Sequence, residues 1–91
     1  MGTKELITEF LEFQSKHYKH LFVEKQGDVW YLKQRKKDWK MAPAIIRVSL
    51  TDSFIIDDYS TKESFDDFKE FKNRFVIILK EKIDKLQSLK I

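Results

Sequence analysis

Basic residues and one tryptophan are concentrated in a short stretch that runs from Lys33 to Lys40. It holds five basic residues and one acid. Cations neutralise phosphate and aromatic rings stack on bases, so this combination is typical of surfaces that bind single-stranded nucleic acid. Tyr31, Lys33 and Arg35 alternate in a predicted strand and should share one face of it. The predicted nucleic-acid-binding residues are Tyr31, Lys33, Arg35, Lys36, Lys37, Trp39, Lys40 and Arg47.

A purely structural interpretation of the same stretch stays open. Lysine and arginine on a strand protect a sheet edge from pairing with other chains, and Tyr31 can pack against its cross-strand neighbour. The net charge of the chain is only +3. No aromatic ribonucleoprotein pair, GXXG loop or zinc-finger spacing occurs in the sequence. Nucleic-acid binding is therefore a hypothesis that rests on local charge and aromatic residues.

An acidic segment offers the alternative hypothesis. Residues 52–70 hold seven acids and two lysines. A negative patch of this kind can attract a basic protein partner. The alternative function is thus a protein–protein interaction or inhibitor module, of the kind that mobile elements encode, which acts through this segment and the C-terminal helix. The predicted partner-binding residues are Asp57, Asp58, Asp66, Asp67 and Glu70.

Neither catalysis nor metal binding is predicted. His17 and His20 lie three residues apart, but a structural metal site needs four ligands and no others are placed. Asp57 and Asp58 are neighbours in a predicted strand and point to opposite faces. With only two glycines and no phosphate-binding loop, the sequence predicts no enzyme, metal or cofactor.

The elements that must position these residues follow from periodicity. Apolar spacing predicts a helix over residues 4–18 with Thr3 as its N-cap. Strands are predicted in HLFVEK, VWYLKQR and AIIRVSL, while SFIIDDY is either a fourth strand or a loop. The sequence Ser60-Thr61-Lys62-Glu63 matches a capping box and predicts the start of a helix of about 28 residues.

The predicted fold is α+β in two layers: an N-terminal helix, a three- to four-stranded antiparallel meander and a long C-terminal helix, with both helices on one face of the sheet. The predicted core positions on the strands are Trp30, Leu32, Ile46, Val48 and Leu50. The other face should present Tyr31, Lys33, Arg35, Ile45, Arg47 and Ser49.

Length and composition set the remaining expectations. A chain of 91 residues should form a single domain over 1–91, and without cysteine its fold must rest on packing. We expect a cytoplasmic protein, because no secretory pattern is seen and the longest apolar stretch is residues 75–79. The end of the C-terminal helix should outrun the sheet and offer a homodimer contact through Ile83, Leu86, Leu89 and Ile91.

Overall fold

Five antiparallel strands and two helices make up the fold in the computed structural model, which describes residues 2–18, 21–34 and 44–88. The elements are α1 (Thr3–Lys16), β1 (Leu21–Gln26), β2 (Val29–Gln34), β3 (Ala44–Leu50), β4 (Phe54–Asp57), β5 (Lys62–Phe65) and α2 (Phe68–Ser88). The predicted α+β class and element order are confirmed, with one strand more than the three to four expected. No helix in these ranges is long and apolar enough to cross a membrane.

The sheet is a simple meander in the order β1-β2-β3-β4-β5. Each strand pairs antiparallel with the next along the chain. Gly27 has a φ of 62° in the turn between β1 and β2, a conformation that glycine adopts without steric cost. The predicted hairpin at Gln26-Gly27-Asp28 is therefore confirmed.

Both helices pack on the same face of the sheet, as predicted. Trp30, at the centre of this face, is fully buried, and its Nε1–H donates to Thr8 Oγ1 of α1 at 2.9 Å. Ile7 and Leu11 bring α1 into this core, and Phe71 brings in α2. The strand residues Leu32, Ile46 and Val48 are buried beneath the helices, whereas Leu50 is half-buried at the margin.

An aromatic cluster joins the two helices to β4. Phe10 of α1 makes edge-to-face contacts with three rings of α2, the nearest being Phe75 at 5.5 Å between centroids. Phe54 of β4 stacks on Phe71 at 5.3 Å. Such contacts stabilise a core beyond the effect of buried area alone. These ring contacts hold the two helices against the part of the sheet that contains β4 and β5.

The capping-box prediction is wrong. Residues 62–65 form β5, and α2 begins at Phe68. Phe65 pairs with Phe54 across β4 and β5, which places both rings toward the core. Glu63 accepts a hydrogen bond from Arg74 Nε at 3.0 Å and does not cap a helix. This tertiary pairing outweighs the short-range capping pattern.

Helix α2 is correspondingly shorter than predicted. Its 21 residues span about 32 Å, within the 39 Å longest extent of the molecule. Ile83 packs against the core and does not project beyond it. The rest of the predicted dimer contact, Leu86, Leu89 and Ile91, lies outside the described side chains. At the other end of the chain, α1 has Gly2 as its N-cap in place of the predicted Thr3.

Ile45 also departs from its predicted position. Leu32 pairs with Ile46 but Lys33 pairs with Ala44, so Ile45 is the extra residue of a β-bulge. A bulge redirects the side chain that it carries. As a result Ile45 is buried, at 6% exposure, and does not lie on the solvent side of the sheet.

Candidate binding surface

The sheet face opposite the helices, here called the open face, carries the candidate site. Strand register assigns to it Phe22, Glu24, Gln26, Val29, Tyr31, Lys33, Arg47, Ser49, Ile55, Asp57, Lys62 and Ser64. One row crosses all five strands in the order Glu24, Tyr31, Arg47, Asp57 and Lys62. Tyr31 therefore lies in the middle of a row of charged side chains.

Two ion pairs organise this row. Arg47 Nη2 donates to Asp57 Oδ2 at 2.8 Å, with Asp57 largely buried and Arg47 about one-third exposed. Lys33 Nζ pairs with Glu24 and lies 5.9 Å from the centroid of the Tyr31 ring. The hydrogen bond and charge of Lys33 lower the pKa of the Glu24 carboxyl. Two of the three cations on the described open face, Lys33 and Arg47, thus have an internal anionic partner.

Tyr59 joins the site although the sequence analysis did not single it out. It lies just after β4 with a φ of 69°, and its backbone N–H donates to Asp57 Oδ1 at 2.8 Å. Burial raises the pKa of the Tyr59 phenol, while the charge of Arg47 lowers it and that of Asp57 raises it. The side chain is still 53% exposed. Nothing in the local sequence signals this placement, because it depends on the turn after β4.

The predicted nucleic-acid residues divide into two groups. Tyr31, Lys33 and Arg47 are brought together on the open face. The remaining predicted residues, Arg35, Lys36, Lys37, Trp39 and Lys40, lie outside the described residues. Lys33 pairs with Ala44, so the connection that contains them leaves and rejoins the sheet at the Lys33 corner of the open face.

The acidic residues of the alternative hypothesis also divide. Asp57 is bonded to Arg47, and Asp58 Oδ1 accepts from the backbone N–H groups of Ser60 and Thr61 at 2.9 and 2.8 Å. The hydrogen bond from Thr61 is the main reason that the pKa of Asp58 is lowered. By contrast Asp66, Asp67 and Glu70 are exposed around the start of α2.

No metal centre is formed by the described part of the chain, where no three His, Asp or Glu side chains converge. A small cleft between the turn after β4 and α2 is lined by Asp58, Ser60, Ile78, Glu81, Lys82 and Lys85. Its mixed charges lie near one another and favour internal pairing over a ligand. The open face is therefore the stronger candidate site.

Comparison of the chain with protein-family models, curated proteins and solved structures finds no match. Function is therefore inferred from the open face itself.

Proposed function

We propose that this chain is a non-enzymatic binding module that holds single-stranded nucleic acid on its open face. The observation that carries the proposal is the convergence of Tyr31, Lys33 and Arg47 on one solvent-facing side of the sheet. Tyr59 adds a second exposed ring next to this group. Aromatic rings beside cations supply stacking and phosphate attraction together.

A single strand suits this surface better than a duplex. A duplex presents its bases only at groove edges, which a helix or a two-stranded ribbon enters. A sheet face with exposed rings instead contacts the flat sides of unpaired bases. Tyr31 is half-buried within the sheet, so its ring is held in place before a base arrives.

The internal ion pairs oppose binding but do not abolish it. A phosphate can replace the Glu24 carboxylate at Lys33, because both side chains are partly exposed, at 25% for Lys33 and 42% for Glu24. Pairs with this much solvent exposure contribute little to stability, because water screens the two charges. The sequence between β2 and β3, which lies outside the described residues, holds four further cations and one acid. Its charge would attract the polymer backbone to the open face.

The test is a fluorescence anisotropy titration with short single- and double-stranded DNA and RNA at about 50 mM and about 200 mM salt. We expect single strands to bind more tightly than duplexes and to remain bound at the higher salt. The double variant K36A/K37A should weaken binding and reduce the salt slope by about 1.4, the value for two lost contacts to a single strand.

The matched control is K69A/K80A, which removes two exposed lysines of α2 on the other side of the sheet. This control has the same net charge as K36A/K37A. If both double variants lose the same affinity, the effect comes from overall charge, which would contradict a localised site. Binding of no polymer by the wild type would overturn the proposal.

The second candidate function is binding to a protein, and one observation favours it. Asp66, Asp67 and Glu70 are exposed at the start of α2, and farther along the helix Val76 and Ile77 are 41% and 49% exposed. A rim of charge beside apolar side chains is common at protein interfaces. The partner would be a basic protein in the cytoplasm, or a second copy through the C-terminal helix.

Sedimentation velocity separates these forms of the second candidate. A homodimer through α2 predicts self-association that Ile77→Lys abolishes, whereas a strict monomer at high concentration excludes it. Binding to a basic partner would be lost in D66N/D67N and unchanged in K36A/K37A. The nucleic-acid proposal predicts the reverse pattern for its own ligand.

A further inference from the structure

Tyr59 occupies a backbone conformation that is unfavourable for its residue type. A φ of 69° places it in the left-handed region, where the Cβ of a non-glycine residue comes too close to the following carbonyl oxygen. Gly27 shows that this chain uses glycine for the same region elsewhere. Strained residues persist where the surrounding structure holds them, and they are concentrated at functional sites.

The surroundings that hold Tyr59 belong to the open face. Asp57 accepts its backbone N–H through Oδ1 and the Arg47 guanidinium through Oδ2. Burial raises the pKa of the Tyr59 phenol; Arg47 and Lys33 lower it, whereas Asp57 and Tyr31 raise it, in keeping with a side chain beside the row that crosses the sheet. Asp57 is thus a positioning residue that links the strained turn to the sheet.

A half-buried ring, Tyr31, and an exposed ring, Tyr59, consequently lie on either side of one ion pair. Tyr31 lies directly opposite Arg47, and Arg47 lies directly opposite Asp57, two residues before Tyr59. Adjacent strands are about 4.8 Å apart, so about 10 Å separates the backbones of Tyr31 and Asp57.

We propose that Tyr31 and Tyr59 are stacking positions for successive bases of one single strand, on either side of the Arg47–Asp57 ion pair. This inference rests on the proposed function and deepens it. Tyr31 and Asp57 are two strands apart, a backbone separation of about 10 Å that exceeds the 3.4 Å rise of stacked bases. We therefore expect a strand that spans the ion pair to be unstacked there, which favours flexible pyrimidine-rich sequences over stacked purine tracts.

The site also has a distinctive electrostatic property. Arg47 is paired with Asp57, so the segment between the two rings carries no net charge. Stacking on these rings should strengthen binding without adding to its salt dependence, which comes from cations that neutralise phosphate. Loss of Tyr59 should therefore lower the affinity at every salt concentration by the same factor.

The test uses fluorescein-labelled oligothymidylate of about twelve nucleotides and an abasic strand of the same length, titrated against full-length protein. We expect Tyr59→Gly to weaken oligothymidylate binding about tenfold, as one lost stacking contact predicts. Its salt slope and its affinity for the abasic strand should stay unchanged. Tyr59→Phe should bind as the wild type does, because the ring is retained.

The experiment includes a check that the variant folds and a control for loss of an aromatic ring elsewhere. Glycine suits a positive φ, so Tyr59→Gly should fold, and a thermal melt verifies this. Phe13→Ala is the matched aromatic control, because Phe13 is 60% exposed on α1, on the other side of the sheet. It should leave both affinities unchanged.

The experiment distinguishes an error in the second stacking position from an error in the proposed function. If Tyr31→Ala weakens oligothymidylate binding but Tyr59→Gly does not, the second stacking position is wrong and the binding surface stands. If the wild type binds the abasic strand and oligothymidylate with equal affinity, binding depends on phosphate contacts alone. Both proposed stacking positions would then be wrong. If the wild type binds neither strand, both proposals fail.

Discussion

Asp57 lies directly opposite Arg47 in the β3–β4 pair, and its two carboxylate oxygens serve different partners. Oδ2 accepts from Arg47 Nη2 and Oδ1 accepts from the backbone N–H of Tyr59, each at 2.8 Å. A single carboxylate thereby fixes a cross-strand pair and the turn that follows it. The open face depends on this side chain more than on any surface lysine.

Replacing Asp57 by Asn should lower the free energy of unfolding by about 2 kcal/mol. The amide still accepts from Tyr59 N–H, but its amino group opposes the Arg47 guanidinium in a largely buried position. Urea denaturation followed by circular dichroism measures the loss. Asp28→Asn is the control, because Lys4 and Asp28 are both 56% exposed, so solvent screening should make the loss of their pair much less costly. Equal effects of the two variants would contradict the distinction.

The pH dependence of stability should carry a contribution from Asp58. Its folded-state pKa is lowered below the ordinary value of 3.8, mainly by the hydrogen bond from Thr61 N–H. The resulting stability is fully present above the unfolded-state pKa and is lost as the pH falls through the folded-state value. Thermal melts between about pH 2 and pH 7 should show Asp58→Asn less stable than the wild type at neutral pH, with the two curves converging in acid. Parallel curves would exclude this contribution.

The bond between α1 and the centre of the sheet can be tested at Thr8. Thr8→Val keeps the shape of the side chain but removes the acceptor of the buried Trp30 Nε1–H. An unsatisfied buried donor should cost about 1–2 kcal/mol. Chemical denaturation of Thr8→Val and Thr8→Ser compares loss of the hydroxyl with its retention. A serine variant no more stable than the valine variant would argue against the hydrogen bond.

Removal of Glu24 should strengthen nucleic-acid binding under the proposed function. Glu24→Gln frees Lys33 from its internal partner, so affinity should rise about threefold and the salt slope should grow by about 0.7. Glu9→Gln changes the net charge equally at an exposed site on α1. Anisotropy titration of both variants separates the local effect from the overall one. Similar gains in the two variants would place the effect in net charge alone.

Much of the fold could be predicted from short-range pattern. Alternation along β2 predicted that Trp30 and Leu32 are buried and that Tyr31 and Lys33 lie on the other face, because successive side chains of a strand point in opposite directions. Phe71 and Phe75, four residues apart on α2, are both buried on one face of that helix, in keeping with helical spacing. These properties depend only on the periodicity of each element.

The predictions that were wrong concern residues whose structure depends on pairing with a segment distant in the sequence. Residues 60–63 match a capping box, yet the pairing of Phe65 with Phe54 makes the following segment a strand. Ile45 follows the outward alternation of its strand, but the bulge opposite Lys33 turns it into the core. Strand pairing and bulges are set by register between segments, which no local pattern encodes.

The sequence by itself determined the α+β class, the core face of β2 and the local excess of positive charge beside Tyr31. Only the tertiary structure decided that Lys33 is paired with Glu24, that Arg47 is paired with Asp57 and that Tyr59 lies beside them. The physical reason is that periodicity assigns a side chain to a face, whereas cross-strand register and turn geometry determine its neighbours on that face.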